Sequence, residues 1–158
     1  MLPMLQLLFN HQAWADAVML DTVAKHNPTF DDEILRKTLH HIAVVQRAFL
    51  SLFLERPFDI QKELAVPASG GDFISLSRQT HAEAITFVNG VEEARLSRAI
   101  DVPWFPGLRI SLGEAMMQVV IHSQSHRGQC ALRLRTLGTE PPITDFIVWL
   151  KDRPAPQW

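Results

Sequence analysis

The chain has 158 residues, of which 47% are hydrophobic and 20% charged, a balance that favours one domain with a buried core over a disordered chain. Its 15 Lys and Arg against 17 Asp and Glu give a formal charge of −2, without the dense basic face of a nucleic-acid-binding protein. A single cysteine excludes an internal disulfide and a structural zinc site built from cysteines.

The sequence also argues against contact with a membrane. No apolar run approaches the roughly 20 residues that span a bilayer. The first residues have neither the basic start nor the small-residue cleavage site of a signal peptide. We therefore expect a cytoplasmic protein that forms a single domain over residues 1–158. Its unusual feature is histidine, of which there are 7 in a chain with no tyrosine.

Apolar residues recur at spacings of three and four in four long segments, which predicts amphipathic helices. These predicted helices run from about Leu2 to His26, from about Thr29 to Leu54, from about Phe73 to Val91, and from Ser111 to Leu137. Between the second and third, prolines and glycines predict a loop from Glu55 to Asp72. Four such segments with modest connections favour a helical bundle.

Local signals add detail near the C-terminal half. Ser111 and Glu114 fit a capping box at the start of the fourth helix, and Gly138 fits a left-handed cap at its end. Residues Ile100 to Ile110 favour a turn with short extended arms, a small hairpin. A short last helix is expected from about Thr144 to Lys151.

The fourth predicted helix carries the clearest functional pattern. His122 and His126 are four residues apart, so their side chains emerge on one face, one turn apart, and we expect them on the core side. Metalloproteases present two histidines to a metal at this spacing, but Ser123 stands where they need a catalytic glutamate. The alternative is a pair of inward histidines bonded to neighbours, and spacing alone leaves both interpretations open.

The surroundings of the pair favour a functional site. Seven of the eight residues from His122 to Gln129 are polar, although they lie in the middle of a helix. Burying such groups unpaired costs about 1–3 kcal/mol each, so a helix rarely carries them without a site or an interface.

A third ligand is available on the second predicted helix, which contains His40 and His41. His41 shares its stripe with Val45 and Leu52, so we expect it to point inward. His40 aligns with Arg47, and we expect it to meet solvent or to hydrogen-bond a ligand histidine. Three neutral imidazoles with an open coordination position are typical of a catalytic metal site.

The other histidines and the cysteine have simpler interpretations. His11 and His81 are expected to be satisfied core or surface residues. His26 lies at a helix end, where a cation complements the helix dipole. Cys130 is expected to be a core residue, since a lone cysteine on an apolar face packs like a small hydrophobe.

A longer motif extends the histidine pair. His122 and His126 are followed directly by Arg127-Gly128-Gln129, and further support comes from Leu39-His40-His41-Ile42, from Trp14-Ala15, and from Pro141-Pro142 followed by residues 145–150. On these residues the chain resembles, nearly end to end, the DinB/YfiT-like superfamily of small four-helix bundles.

The resemblance implies an all-α fold, an up-down-down-up type four-helix bundle with a short C-terminal helix and a small irregular or hairpin segment before the fourth helix. It implies a divalent metal, nickel or zinc first of all, held by His41, His122 and His126. It also implies a homodimer. His11 occupies a position where relatives often have asparagine or arginine, which makes it a candidate to face the pocket.

Activity follows less directly from the resemblance. Some relatives resemble thiol S-transferases or thiol-dependent isomerases, which favours a metal-dependent enzyme of that kind, or a hydrolase, that acts on a small molecule with a low-molecular-weight thiol as cofactor. The alternative is a non-enzymatic metal- or ligand-binding stress-response bundle. Arg127 and Gln129 either orient the ligands or support helix packing; we favour packing, because both point away from the stripe of His122 and His126.

Overall fold

The computed structural model describes residues 1–67 and 69–158, and of residues 27 and 28 only the backbone. Its long helices are α1 (Leu2–Lys25), α3 (Glu33–Phe53), α5 (Gly70–Gly90) and α6 (Leu112–Thr136), and its short ones are α2 (Asn27–Phe30), α4 (Ile60–Glu63) and α7 (Phe146–Asp152). A 3₁₀ turn (Glu93–Ser97) and two strands, β1 (Ala99–Asp101) and β2 (Arg109–Ser111), lie between α5 and α6.

The four long helices pack side by side around one axis. Helices α1 and α3 each pack against both α5 and α6, so the order around the bundle is α1, α5, α3, α6. The predicted all-α bundle is therefore confirmed. Among the described residues no helix is both long and apolar enough to cross a membrane.

Capping residues decide where the helices begin. The Asp32 carboxylate accepts a hydrogen bond from the Leu35 amide at 2.8 Å, so α3 begins at Glu33. The cap lies within residues 29–32, where the sequence predicts the helix to start, and residues 27–30 form the separate turn α2.

The segment predicted as a loop from Glu55 to Asp72 is partly helical. It contains the single turn α4, and α5 already begins at Gly70 because the Ser69 hydroxyl accepts a hydrogen bond from the Asp72 amide at 3.1 Å. Residue 68, also within the predicted loop, lies outside the described residues.

The predicted hairpin and capping box are both present. Strands β1 and β2 pair antiparallel with Ile100 opposite Ile110. Ser111 and Glu114 cap α6 reciprocally, since the Ser111 hydroxyl accepts from the Glu114 amide at 3.2 Å and the Glu114 carboxylate accepts from the Ser111 amide at 2.7 Å. The hairpin loop reaches α3, where the rings of Trp104 and Phe49 meet edge to face with centroids 5.2 Å apart.

The core consists of two apolar clusters. One contains Phe9, Phe49, Val88, Met116 and Val119, and the other contains Met19, Leu39, Phe73, Cys130 and Leu134. Along each long helix, buried polar residues fall between the two clusters. These residues are Asp16, Gln46, Ser77, His81, Ser123 and Arg127. The bundle is thus divided at mid-height by a buried polar layer.

Candidate metal centre

Three histidines from two helices meet in the groove between α3 and α6. One ring nitrogen each of His41, His122 and His126 lies within 4.8 Å of the others, a group that could hold a metal ion. The Nε2 atoms of His41 and His122 are 3.1 Å apart. The structure therefore brings together the three histidines named from the sequence, although His41 and His122 are 81 residues apart in the chain.

The three side chains lie at the edge of the bundle and not in its core. His41 is exposed, and His122 and His126 are partly buried. The core side of α6 is formed by Ser123 and Arg127, each one position further along, which are 0% and 1% exposed. The expected inward orientation of the three histidines is therefore wrong, and a ligand can reach them from solvent.

The orientation of the neighbouring histidines on α3 is the reverse of the prediction. His40 is 6% exposed and packs edge-on against the ring of Phe73, with centroids 6.1 Å apart, so it does not meet solvent. Within the described part of the chain no hydrogen bond joins it to His41, His122 or His126. The apolar stripe of His41 misled the prediction because Val45 and Leu52 are only partly buried and line a cleft.

The environment favours the neutral form of two of the clustered imidazoles, those of His122 and His41. Burial and the nearby His126 and His41 lower the pKa of His122 to about 4. Burial, His126 and His40 also lower the pKa of His41. Since a metal binds the unprotonated nitrogen, both residues have a lone pair available at neutral pH.

A glutamine fixes the tautomer of the third histidine. The Gln129 Oε1 accepts a hydrogen bond from the Nδ1–H of His126 at 2.8 Å, so that in the neutral ring the lone pair lies on Nε2. Gln129 thus contacts the cluster, unlike the predicted orientation away from it. Such a bond to the far nitrogen is usual for a histidine that ligates a metal.

The hydrogen bonding of His122 is incomplete. Its Nδ1 is buried without a partner, and its Nε2 faces only the Nε2 of His41. Two imidazole nitrogens can satisfy each other only by sharing one proton, whereas a divalent ion accepts a lone pair from each of them. The donor set therefore fits a divalent metal.

Arg127 faces the opposite way and joins a buried network. Its Nη1 donates to the Asp16 carboxylate at 2.6 Å, and the same carboxylate accepts from His81 Nε2 at 2.9 Å and from Gln46 Nε2 at 2.7 Å. Gln46 also donates to the Ser123 hydroxyl at 3.1 Å. Arg127 makes no bond to the clustered histidines in the described structure. We call Asp16, Gln46, His81, Ser123 and Arg127 the buried network.

The signal for this network in the amino-acid sequence is indirect. Asp16 lies on the apolar face of α1 and Arg127 on that of α6, so the two charges could be recognised as partners only once the helices were packed. Burial would raise the pKa of Asp16, but Arg127, His81 and Gln46 together hold it well below its ordinary value. The carboxylate is therefore ionised and paired.

His11 has a structural contact and does not face the cluster. It is 4% exposed, and its Nε2–H donates to the carbonyl oxygen of Thr144 at 2.9 Å. Its ring packs against Phe146 and Trp149, with centroids 5.2 Å and 5.8 Å away. His11 therefore holds α7 against α1, and the expectation that it faces the pocket is wrong.

Two clefts open beside His41. We define the hairpin cleft, of about 600 Å³, as the one that also touches Gln118 and His122, and the α4 cleft, of about 670 Å³, as the one that also touches Ile60. His41, Val45 and Trp104 line both clefts. Most of the remaining lining is apolar, so the candidate metal centre borders space suited to a small molecule.

Cys130 does not offer a reactive sulfur. It is 0% exposed, as the sequence predicts for a core residue. Burial and the nearby Asp16 raise the pKa of its thiol to about 12. Since the thiolate is the nucleophilic form, Cys130 is inert at neutral pH.

Comparison with known proteins places the chain in a family. No curated protein matches the sequence significantly. A crystal structure of a DinB-like protein from Bacillus cereus ATCC 10987 is similar, with 18% identity over 87% of this chain and 89% of that chain and a TM-score of 0.62. That likeness shows the fold. The sequence profile of the DinB family matches residues 1–154, and the chain therefore belongs to the DinB family.

Proposed function

We propose that this chain is a divalent-metal-dependent enzyme of the thiol S-transferase or isomerase kind, or a hydrolase, that acts on a small molecule. The observation that carries the proposal is the convergence of three histidine nitrogens within 4.8 Å beside two clefts. Three protein ligands leave a coordination position open, which is typical of catalytic metal sites and not of structural ones.

The ligands in this proposal are His41, His122 and His126. Imidazole nitrogen suits borderline metals, so nickel and zinc are the first choices. When bound, the ion would act as a Lewis acid that lowers the pKa of a thiol or of water and so makes it nucleophilic at neutral pH.

The chain's own residues have separate tasks. Gln129 holds the ring of His126 through Nδ1, so that its Nε2 is directed to the shared site. The clefts beside His41 exclude water from one side of that site and hold the substrate. Because Cys130 is buried and protonated, the reacting sulfur in thiol chemistry would come from a low-molecular-weight thiol.

We further propose that the enzyme works as a cytoplasmic homodimer. One side of α6 exposes Ile121 and Leu132, with Gly128 between them at helical spacing, and α7 exposes Ile147. Ile121 is 58%, Leu132 66% and Ile147 74% exposed, and a second copy of the chain would cover them. Light scattering should give a dimer for the wild type and a monomer for Leu132→Glu; a monomeric wild type would contradict the homodimer.

The enzymatic proposal is tested with a panel of substrates. The purified protein, with its metal and after treatment with a chelator, is assayed for conjugation of low-molecular-weight thiols to chlorodinitrobenzene and for hydrolysis of nitrophenyl esters. We expect turnover that requires the metal, that is lost in His122→Ala, and that is kept in the control His26→Ala, an exposed histidine at a helix end. Metal-loaded protein without turnover across the panel would favour the non-enzymatic binding bundle.

A further inference from the structure

We propose that the hairpin cleft binds a neutral aromatic molecule and that Gln118 positions it through a polar substituent. This inference rests on the proposed function, in which the site beside His41 and His122 is catalytic. It adds the class of substrate that this site takes. The cleft is lined by His41 and His122 of the cluster and by the aromatic residues Trp104 and Phe105 of the hairpin loop.

Size and lining favour a small apolar ligand. The hairpin cleft encloses about 600 Å³, within the usual range of about 300–1,000 Å³ for pockets that hold small molecules. Its walls include Phe49, Val102, Leu108 and Ile110. A ligand here would bury apolar surface within reach of His41 and His122.

Trp104 gives the cleft its aromatic character. Its indole is 39% exposed, and it is braced from behind by the ring of Phe49, edge to face at 5.2 Å. Phe105, beside it, is 59% exposed. Partly exposed aromatic rings with a fixed orientation offer a stacking surface for a planar ligand.

The charges around the clefts favour a neutral ligand. Among the described residues that line them, the ionic side chains apart from histidine are Glu114 and Arg56. Glu114 is occupied by the Ser111 amide and hydroxyl, each at 2.7 Å, and Arg56 is paired with Glu83. An anionic ligand in the hairpin cleft would meet the Glu114 carboxylate and no unpaired cation of the chain.

Gln118 supplies a polar contact inside this apolar cleft. It lies one turn before His122 on the same side of α6, and it is exposed. Its amide makes no hydrogen bond within the described structure, so it can donate to, or accept from, a hydroxyl or carbonyl group of the ligand. That contact would orient the ligand with respect to His122.

The test measures binding apart from catalysis. The fluorescent probe N-phenyl-1-naphthylamine is neutral and responds to apolar pockets. It is titrated into the full-length protein, both as purified and after removal of metal, and then displaced by 2-naphthylmethanol, 2-methylnaphthalene or 2-naphthoate. We expect saturable binding in both preparations, and in the metal-free protein an affinity for 2-naphthylmethanol at least about tenfold above that for the anionic naphthoate.

Substitutions in the hairpin cleft test which side chains contact the bound molecule. Trp104→Ala should weaken probe binding about tenfold, and the more exposed Phe105→Ala provides a second, milder change if Trp104→Ala is poorly folded by circular dichroism. Gln118→Leu should weaken the binding of 2-naphthylmethanol about three- to tenfold and leave the binding of 2-methylnaphthalene unchanged. The control Ile34→Ala, an exposed residue of α3 that lines neither cleft, should bind as the wild type.

Some outcomes would overturn the inference. They are the absence of saturable probe binding, naphthoate binding as tightly as the alcohol, or probe binding that both aromatic variants leave unchanged. The competitors could differ in affinity as expected although the protein binds no metal. In that case the proposed metal-dependent function is wrong, and the binding of a neutral aromatic molecule in the hairpin cleft is still supported.

Discussion

Two polar clusters share the same stretch of α6, and they differ in the groups that satisfy their hydrogen-bonding atoms. His122 and His126 face the groove towards α3, whereas Ser123 and Arg127, one position further, point about 100° away into the core. In the buried network the Asp16 carboxylate accepts hydrogen bonds from three side chains. In the histidine cluster the imidazole nitrogens of His41 and His122 face each other.

The difference separates a structural role from a functional one. The buried network pairs the Arg127 cation with the Asp16 anion and joins α1, α3, α5 and α6, and its one unpartnered atom in the described structure, the Arg127 Nε, is closed off from solvent. The histidine cluster contains lone pairs without enough donors, and it lies where a small molecule can reach it. Polar residues that are unsatisfied within the chain and open to a cleft indicate a binding site.

The largest effect should come from breaking the buried network. Arg127→Met leaves the Asp16 carboxylate buried without its guanidinium, which should lower the free energy of unfolding by about 3–5 kcal/mol. Chemical denaturation of the metal-free protein measures this loss. The double variant Asp16→Asn/Arg127→Met removes both charges and should recover part of it. A loss below about 1 kcal/mol would show that the network is not a structural element.

A smaller effect is expected from substitution of Gln129, which hydrogen-bonds a histidine of the cluster without being one of the three proposed ligands. Gln129→Ala removes the acceptor for His126 Nδ1 and should weaken metal binding about 10- to 100-fold. Competition with a chromophoric chelator measures the affinity, and Ser125→Ala, an exposed neighbour on α6, serves as the control. Unchanged affinity in Gln129→Ala would mean that the bond to His126 does not direct the ligand.

The pH dependence of stability should report on the cluster. The pKa of His122 is about 4 in the folded chain, against 6.5 for a free histidine, so between these values the unfolded chain binds a proton that the folded chain does not. The free energy of unfolding of the metal-free protein should therefore decrease as the pH falls from about 6.5 to about 4. His122→Ala should flatten this decrease relative to His26→Ala, and an identical slope in both would contradict the assignment.

The smallest effect is expected on stability when the cluster itself is removed. His122→Ala deletes a half-buried ring whose Nδ1 has no partner, so the metal-free protein should lose less than about 1 kcal/mol. Thermal and chemical denaturation measure the difference from wild type. A loss as large as that of Arg127→Met would make these histidines structural and erase the contrast between the two clusters.

The features that the sequence could predict depend on local spacing. The capping box of Ser111 and Glu114 and the four-residue interval of His122 and His126 are fixed within one or two turns of a helix. Apolar periodicity located the four long helices, since their buried stripes follow the 3.6-residue repeat.

The features that the sequence could not predict depend on packing between distant helices. Asp16 and Arg127 are 111 residues apart, and no local pattern marks them as a pair. His40 and His41 were assigned the wrong exposure because an apolar stripe can face a cleft as well as a core. The bond of Gln129 to His126 is local to α6, but the three-residue spacing by itself does not determine the rotamers of the two side chains that form it.

The metal content of the protein tests the central claim most directly. Protein purified without a histidine tag and incubated with nickel or zinc is dialysed and subjected to elemental analysis, together with His41→Ala, His122→Ala and the control His26→Ala. We expect about one divalent ion per chain in the wild type and in His26→Ala, and almost none in the other two variants. Wild-type protein without metal, or unchanged metal in His41→Ala and His122→Ala, would contradict the assignment of the metal centre.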